Sequence, residues 1–459
     1  MEHSGRPPPH VLIFPYPLQG HVTSMLNLAE LLCLSNIRVT FFNSDHIQRR
    51  LLQFTSVQSR FAKYPYLFHF QTISDGLPSD HSRSGKDVLD LFLSMSTITR
   101  PLFKELLLSN QPPIDCVISD GGLEFTVEVA DEVGIPLVYF RTIGASCFWI
   151  YFCIPDMIEA GELPIRVEVE EEDMERVITK VPGAEGVLRC RDLPSLCRVG
   201  DLSDPFLQAI VLTTRKSPKV YALILNTFED LEVEIKAFQP QNSSRIIIVV
   251  REEDRSCMKW LDLQPPKSVL YANFGSITVM KPEELVEIWH GLINSKQKFL
   301  WVIRQGTITS IENTSEFPEE LVKGGSKGDE FMVLSGWVAQ KEVLDHGSIG
   351  GFLTHSGWNS TLETIVAGVP MICLPYFADQ QVNSRFTSEV WKLGLDMKDS
   401  CKRGVVERMV NELMVERKEE FGRCAAKMAE LARMSVSTGG CSSRNLEDLI
   451  EEIRSMRSS

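Results

Sequence analysis

Short apolar runs alternate along this chain with stretches whose apolar positions recur every three or four residues. Residues 11–14, 37–42, 67–73, 115–119 and 136–140 are runs of strand length bounded by Gly, Pro, Asp or Ser. Between the first two, Met25, Leu28, Ala29 and Leu32 fall on one helical face, and residues 125–133 read as a further helix. Thr23 and Ser24 are placed to cap the earlier helix, with residues 15–20 as a loop and His21 at its far end. Strands alternating with helices predict a parallel sheet covered on both faces. Residues 222–226 add a strand, and the Glu-rich stretch 167–175 reads as a solvated loop or helix. Composition turns polar over 239–255 around one β-branched run, 246–250, which reads as a connection. A second alternation starts at the strand 269–274, closes on Gly275 and Ser276, and runs to about residue 436. The last stretch, 443–456, is amphipathic, with Leu446, Leu449, Ile450 and Ile453 on one face. The pattern predicts an α/β chain of two halves similar in plan, with no repeat in sequence.

Two places in this pattern carry candidate chemistry. In the second half, residues 349–354 form a buried-strand run, His355, Ser356 and Gly357 break it, and a helix starts near Trp358. A strand, a small-residue turn and a helix N-terminus make an anion site, because unpaired N–H groups and the positive end of the helix dipole meet there. Asn359, Ser360 and Glu363 share one turn of that helix. A carboxylate one turn beyond a phosphate site suits paired ribose hydroxyls, so a nucleotide is the natural ligand. In the first half, His21 and Asp120 both fall at carboxyl ends of strands, the edge where open α/β sheets bind ligands. An imidazole oriented by a carboxylate can take a proton from an alcohol. Taken singly, residues such as Trp337, His355, His21 and Asp120 are more often structural than functional.

The ordered set Trp337, Gln340, His355, Trp358, Asn359, Ser360, Glu363, Asp379 and Gln380 resembles, without a gap, the plant secondary product glycosyltransferase box of UDP-dependent glycosyltransferases. Residues 14–21, 75–78, 117–120, 191–194, 225–232, 256–276 and 299–304 resemble the same family, so the likeness spans nearly the whole chain. It implies a GT-B fold: two facing Rossmann-like domains, each with a parallel sheet, and a C-terminal helix crossing back. The expected bounds are an acceptor domain at 1–238, a shortened linker at 239–255, a UDP-sugar domain at 256–440 and the returning helix at 441–459. Relatives carry a variable loop where Val250 here runs straight into Arg251.

The resemblance also implies roles. Trp337 would stack on uracil, with Val338, a departure from the usual Ala, contributing backbone; Gln340 would contact the ribose. His355, Asn359 and Ser360 would hold the diphosphate, and Glu363 the ribose hydroxyls. Trp358, Asp379 and Gln380 would read the sugar, a Gln at the last position going with glucose. Ser276 is either a donor to the diphosphate or a plain turn residue. His21 would be the base and Asp120 its partner, with Gly20, Thr142 and Phe148 near the sugar and acceptor. Phe148, Trp149, Tyr151 and Phe152 could line an apolar acceptor pocket or belong to the core. The implied reaction is inverting transfer of glucose from UDP-glucose, giving a β-O-glucoside; with no Asp-x-Asp pair, no metal or other cofactor is expected. Residues 20–32 and 140–165 look most like the iridoid-glucosylating members, which makes an iridoid or monoterpenoid such as 7-deoxyloganetic acid the expected acceptor. Flavonoid or triterpenoid acceptors, or a non-catalytic nucleotide-sugar binder, are the alternatives. No Gly-x-Gly-x-x-Gly follows any strand, against a dinucleotide oxidoreductase.

Totals change the picture little. The 459 residues suit two or three domains, and a formal net charge of −14 with no basic block argues against nucleic-acid or membrane partners. The start carries no secretory signal and no apolar run reaches membrane-helix length, so a cytoplasmic, monomeric enzyme with reduced cysteines is expected.

Overall fold

A computed structural model of the chain describes residues 7–81, 83, 88–110, 112–165, 171–232, 243–245, 257–275, 278–303, 325–336, 338–398 and 400–456. The chain groups into two compact units: Met1–Glu159 with Asp201–Val250 and Ser435–Ser459, and Ala160–Gly200 with Arg251–Met434. Residues 160–200, placed in the first half by the sequence pattern, thus belong with the second.

The first unit holds a seven-stranded sheet of β1 (His10–Phe14), β2 (Arg38–Ser44), β3 (Phe68–Ile73), β4 (Cys116–Asp120), β5 (Leu137–Arg141), β6 (Ala222–Leu225) and β7 (Ser243–Arg245). All pair in parallel in the order β3-β2-β1-β4-β5-β6-β7. β7 precedes the run 246–250, which lies outside the described residues, and it extends the sheet into the stretch expected to be a linker. β1 and β4 are buried along their length, as expected of strands covered on both faces. Strand order reverses between β1 and β4, so the crevice beyond their carboxyl ends is the switch point of this sheet. The helix Cys441–Met456 belongs to this unit, and its Leu449, Ile450 and Ile453 join the core formed by Val11, Ile13, Val39 and Cys116.

One helix start differs from the sequence pattern. It begins at Gln19, as soon as Pro17 has been passed, and runs to Leu34 from an N-cap at Leu18 that makes no side-chain cap. Thr23 and Ser24 are therefore inside the helix, and the Ser24 hydroxyl donates back to the Gly20 carbonyl at 3.2 Å rather than capping. His21 sits in the first turn, not at the end of a loop.

The second unit holds β8 (Val269–Asn273), β9 (Lys298–Ile303), β10 (Gly325–Lys327), β11 (Phe331–Ser335), β12 (Ile349–Thr354), β13 (Met371–Cys373) and β14 (Gly394–Asp396). The order is β10-β11-β9-β8-β12-β13-β14, parallel except for the edge strand β10. Successive residues of β8 feed opposite faces: Leu270 and Ala272 enter one core, Val269 and Tyr271 the other. The reversal falls between β8 and β12, which end side by side at Asn273 and Thr354.

Candidate active site

In the first unit, β1 leads into the helix carrying His21 and β4 ends at Asp120. His21 Nδ1 lies 2.7 Å from Asp120 Oδ2 and 2.9 Å from Thr142 Oγ1. Since a carboxylate cannot donate, Nδ1 carries a proton, and in the neutral ring this leaves the lone pair on Nε2. The other Asp120 oxygen accepts the Gly122 N–H at 2.8 Å. Asp120 is 2 % exposed. Burial by itself would raise its carboxyl, but His21, the Gly122 N–H and Arg141 outweigh that and hold it below the usual carboxylate range. Arg141 is buried too, its guanidinium donating to the Gly121 carbonyl at 2.7 Å and lying 4.7 Å from the Phe148 ring centroid. A side chain at Gly121 would collide with it, so the turn after Asp120 needs that glycine.

The expected acceptor residues divide. Gly20 and Thr142 flank the imidazole; Thr142 touches it. Phe148 is fully buried beneath Arg141, and Tyr151 is buried as well, so these rings are wall rather than lining. Trp149 and Phe152, stacked at 5.6 Å, stay half-buried. The helix that carries them, Ala145–Glu159, is held at its start by Glu232, which accepts from the N–H groups of Ala145 and Ser146 at 2.9 and 2.7 Å.

In the second unit, the helix Trp358–Ala367 follows β12, with Gly357 as its N-cap and no side chain capping it. His355 is 9 % exposed and wedged between two glycines: a Cβ at either Gly275 or Gly357 would run into its ring. Gly275 also takes φ +78°. Gln340 opens the helix Gln340–Asp345 and its Nε2 donates to Ser360 Oγ at 3.0 Å and Glu363 Oε2 at 2.7 Å. Three residues of the expected donor set are thus hydrogen-bonded to one another. Asn359 lies half-buried in the first turn of the Trp358 helix. Trp358 is buried with its indole ring centroid 6.2 Å from that of Trp391. Val338 is buried in the core. Asp379 Oδ2 accepts from Asn383 at 2.8 Å, and Gln380 Oε1 accepts the N–H groups of Tyr376 and Phe377 at 2.8 and 3.1 Å. Trp337 and Ser276 lie outside the described residues.

The sequence pattern missed a relay behind this set. Gly275 N–H donates to Asn273 Oδ1 at 2.9 Å, Asn273 Nδ2 to Tyr271 OH at 2.8 Å, and Tyr271 OH to Gln340 Oε1 at 3.3 Å. The signal was there: two polar side chains on one face of an otherwise apolar strand need partners. Arg141, a charged residue ending the buried strand β5, was a second such signal.

Residues 244–420 match the family described as UDP-glucoronosyl and UDP-glucosyl transferase. A 7-deoxyloganetic acid glucosyl transferase of Catharanthus roseus is 50 % identical over 480 aligned residues, covering 98 % of both chains. The chain belongs to this UDP-glycosyltransferase family. A myricetin 3-O-rhamnoside 1,2-glucosyltransferase of Crocosmia x crocosmiiflora is 38 % identical to the glycosyltransferase, over 97 % of this chain and 96 % of that one. Among solved structures, a UDP-glucose: anthocyanidin 3-O-glucosyltransferase in complex with UDP superposes with a TM-score of 0.82 at 25 % identity, covering 97 % of this chain and 99 % of that one. A Phytolacca americana enzyme complexed with UDP-2fluoro-glucose and pterostilbene superposes with a TM-score of 0.79 at 26 % identity, over 98 and 100 %. The glycosyltransferase therefore has the GT-B fold, a Rossmann-like sheet in each unit and the last helix returned to the first. Among its described residues, no helix is long and apolar enough to cross a membrane, and no three His, Cys, Asp or Glu side chains cluster to hold a metal ion.

Proposed function

We propose that this glycosyltransferase transfers glucose from UDP-glucose to a hydroxyl of an iridoid, 7-deoxyloganetic acid being the acceptor of choice, with inversion at the anomeric carbon. His21 Nε2 takes the hydroxyl proton while the acceptor oxygen forms a bond to C1 and the bond from C1 to the diphosphate oxygen breaks. The products are the β-glucoside and UDP. Asp120 orients the imidazole and offsets the positive charge it acquires, and Thr142 steadies it. The start of the Trp358–Ala367 helix, with His355, Asn359 and Ser360, takes the charge growing on the leaving diphosphate. Glu363 and Gln340 take the ribose, and Trp337 the uracil. Trp358, Asp379 and Gln380 read the glucose, the Gln380 oxygen being engaged in its own loop and its nitrogen left to donate. Val338 supports the uracil side from the core, and Ser276 adds a donor to the diphosphate.

The 2.7 Å contact between His21 and Asp120 carries the chemical part of this reading. The acceptor part is supported by 50 % identity along the whole chain to an enzyme named for 7-deoxyloganetic acid. The test is a matrix of UDP-sugars against iridoid, flavonoid and triterpenoid alcohols. UDP-glucose with an iridoid aglycone should give the highest kcat/KM, and turnover of flavonols or triterpenes alone would discard the acceptor. His21→Ala should cut kcat by a factor on the order of 10²–10⁴ while UDP affinity holds. Parallel loss of both would make His21 structural.

A further inference from the structure

The sugar-reading pair Asp379–Gln380 follows Ala378, whose φ of +58° is a left-handed conformation that a residue with a Cβ resists. What holds it comes from far away in sequence. Ala378 N–H donates to Ser195 Oγ at 2.8 Å, and Ser195 N–H donates to the Ala378 carbonyl at 3.2 Å. The two residues are 183 positions apart. The same arm grips the far end of the short helix Gln380–Arg385: Arg385 Nε donates to the Val187 carbonyl at 2.8 Å and lies 3.4 Å from Asp192 Oδ2. Asp192 is itself buried and fixed by Arg189 at 2.7 Å. Residues 187–195 thus clamp both ends of the element carrying Asp379 and Gln380. From inside, Gln380 Oε1 ties down Tyr376 and Phe377. The loop before the sugar-reading pair is fastened on one side by its own glutamine and on the other by Ser195.

We infer that Ser195 is a positioning residue for the sugar end of the donor site, holding Ala378 so that Asp379 and Gln380 meet the hexose hydroxyls in register. This rests on the donor reading above, in which Asp379 and Gln380 contact the hexose. Ser195 is half-buried and its hydroxyl accepts from a main-chain N–H, so removing it frees the loop without opening the core. The nucleotide end of the site, built on Gln340, His355, Ser360 and Glu363, shares no hydrogen bond with Ser195 among those described.

The experiment separates the two ends of the donor. Ser195→Ala should raise the KM for UDP-glucose roughly three- to tenfold, the range of one lost hydrogen bond, with UDP affinity held within about twofold. Discrimination against UDP-galactose should fall by a comparable factor. Ser195→Thr, which keeps the hydroxyl, should restore both; the isosteric Ser195→Val should not, and that pair decides the matter if the alanine variant is poorly folded. An unchanged KM, or UDP affinity and KM moving together, overturns the inference. Asp379→Ala is the control for the underlying reading: if sugar preference survives that change, the assignment of Asp379 to the hexose fails instead.

Discussion

His21, Asp120, Thr142 and Arg141 form a small charge system from three elements, in which Asp120, Thr142 and Arg141 are buried and the imidazole stays partly exposed. Thr142 and the Gly122 N–H complete the hydrogen bonds around the pair, and Arg141 adds a positive charge that the carboxylate faces across the Gly121 turn. Beside it, Glu124 has the opposite history: burial dominates, so its carboxyl is raised although Ser96 donates to it at 2.8 Å. A carboxyl with a raised folded-state pKa contributes stability below its unfolded pKa and loses that contribution as pH rises through the folded one. Glu124→Gln keeps the Ser96 bond and removes the ionisation. It should raise Tm by roughly 2 °C at pH 8, with the difference vanishing near pH 4, in thermal melts followed at both values. Equal melting temperatures at pH 8 would mean that Glu124 is solvated when charged.

Elements position these residues by where they begin. The helix at Gln19 and the helix at Trp358 both start directly beyond a strand at a switch point, which brings an imidazole to one and an anion-seeking end to the other. At the second, Gly275 and Gly357 hold the His355 ring between them. Gly357 has φ −61°, so an alanine there is not strained in its backbone; what it lacks is room. Gly357→Ala should therefore push the ring aside and weaken UDP binding about tenfold or more, as a displaced charge-assisted contact would, with Tm nearly unchanged. Titration calorimetry with UDP reads the first and a melt the second; intact binding would show that His355 is not a diphosphate ligand. Behind the ring, the Asn273–Tyr271–Gln340 relay ties the β8 turn to Ser360 and Glu363 by an unbroken chain of hydrogen bonds.

At the scale of the molecule, each unit owes part of itself to distant chain. The first takes its last core residues from the C-terminal helix, where Ile453 is fully buried. Ile453→Ala should destabilise the first unit by about 2–5 kcal/mol. Calorimetry should show an earlier first-unit transition with the second-unit transition in place; a single unshifted transition would sink the expectation. The second unit takes residues 160–200 from the later part of the first half. Their family-like motif, Arg191 to Pro194, was visible in sequence, but the contact of its Asp192 with Arg385 and of the adjoining Ser195 with Ala378 was not. That attachment depends on contacts across nearly 200 residues, with no periodic signal to announce them.

Local pattern determined much: the strand run 349–354 and the helices at 125–133 and Trp358 fall where turn chemistry and hydrophobic period put them. The pairing of His21 with Asp120 was also legible, because strand ends in a parallel sheet are predictable places. Tertiary structure decided the rest. It set the first helix two residues ahead of His21, turned Phe148 into the seat of Arg141, and used Ser195 to hold a left-handed alanine. Propensity and period act over a turn or a strand, whereas a buried polar atom must be satisfied wherever the packed chain happens to bring a partner.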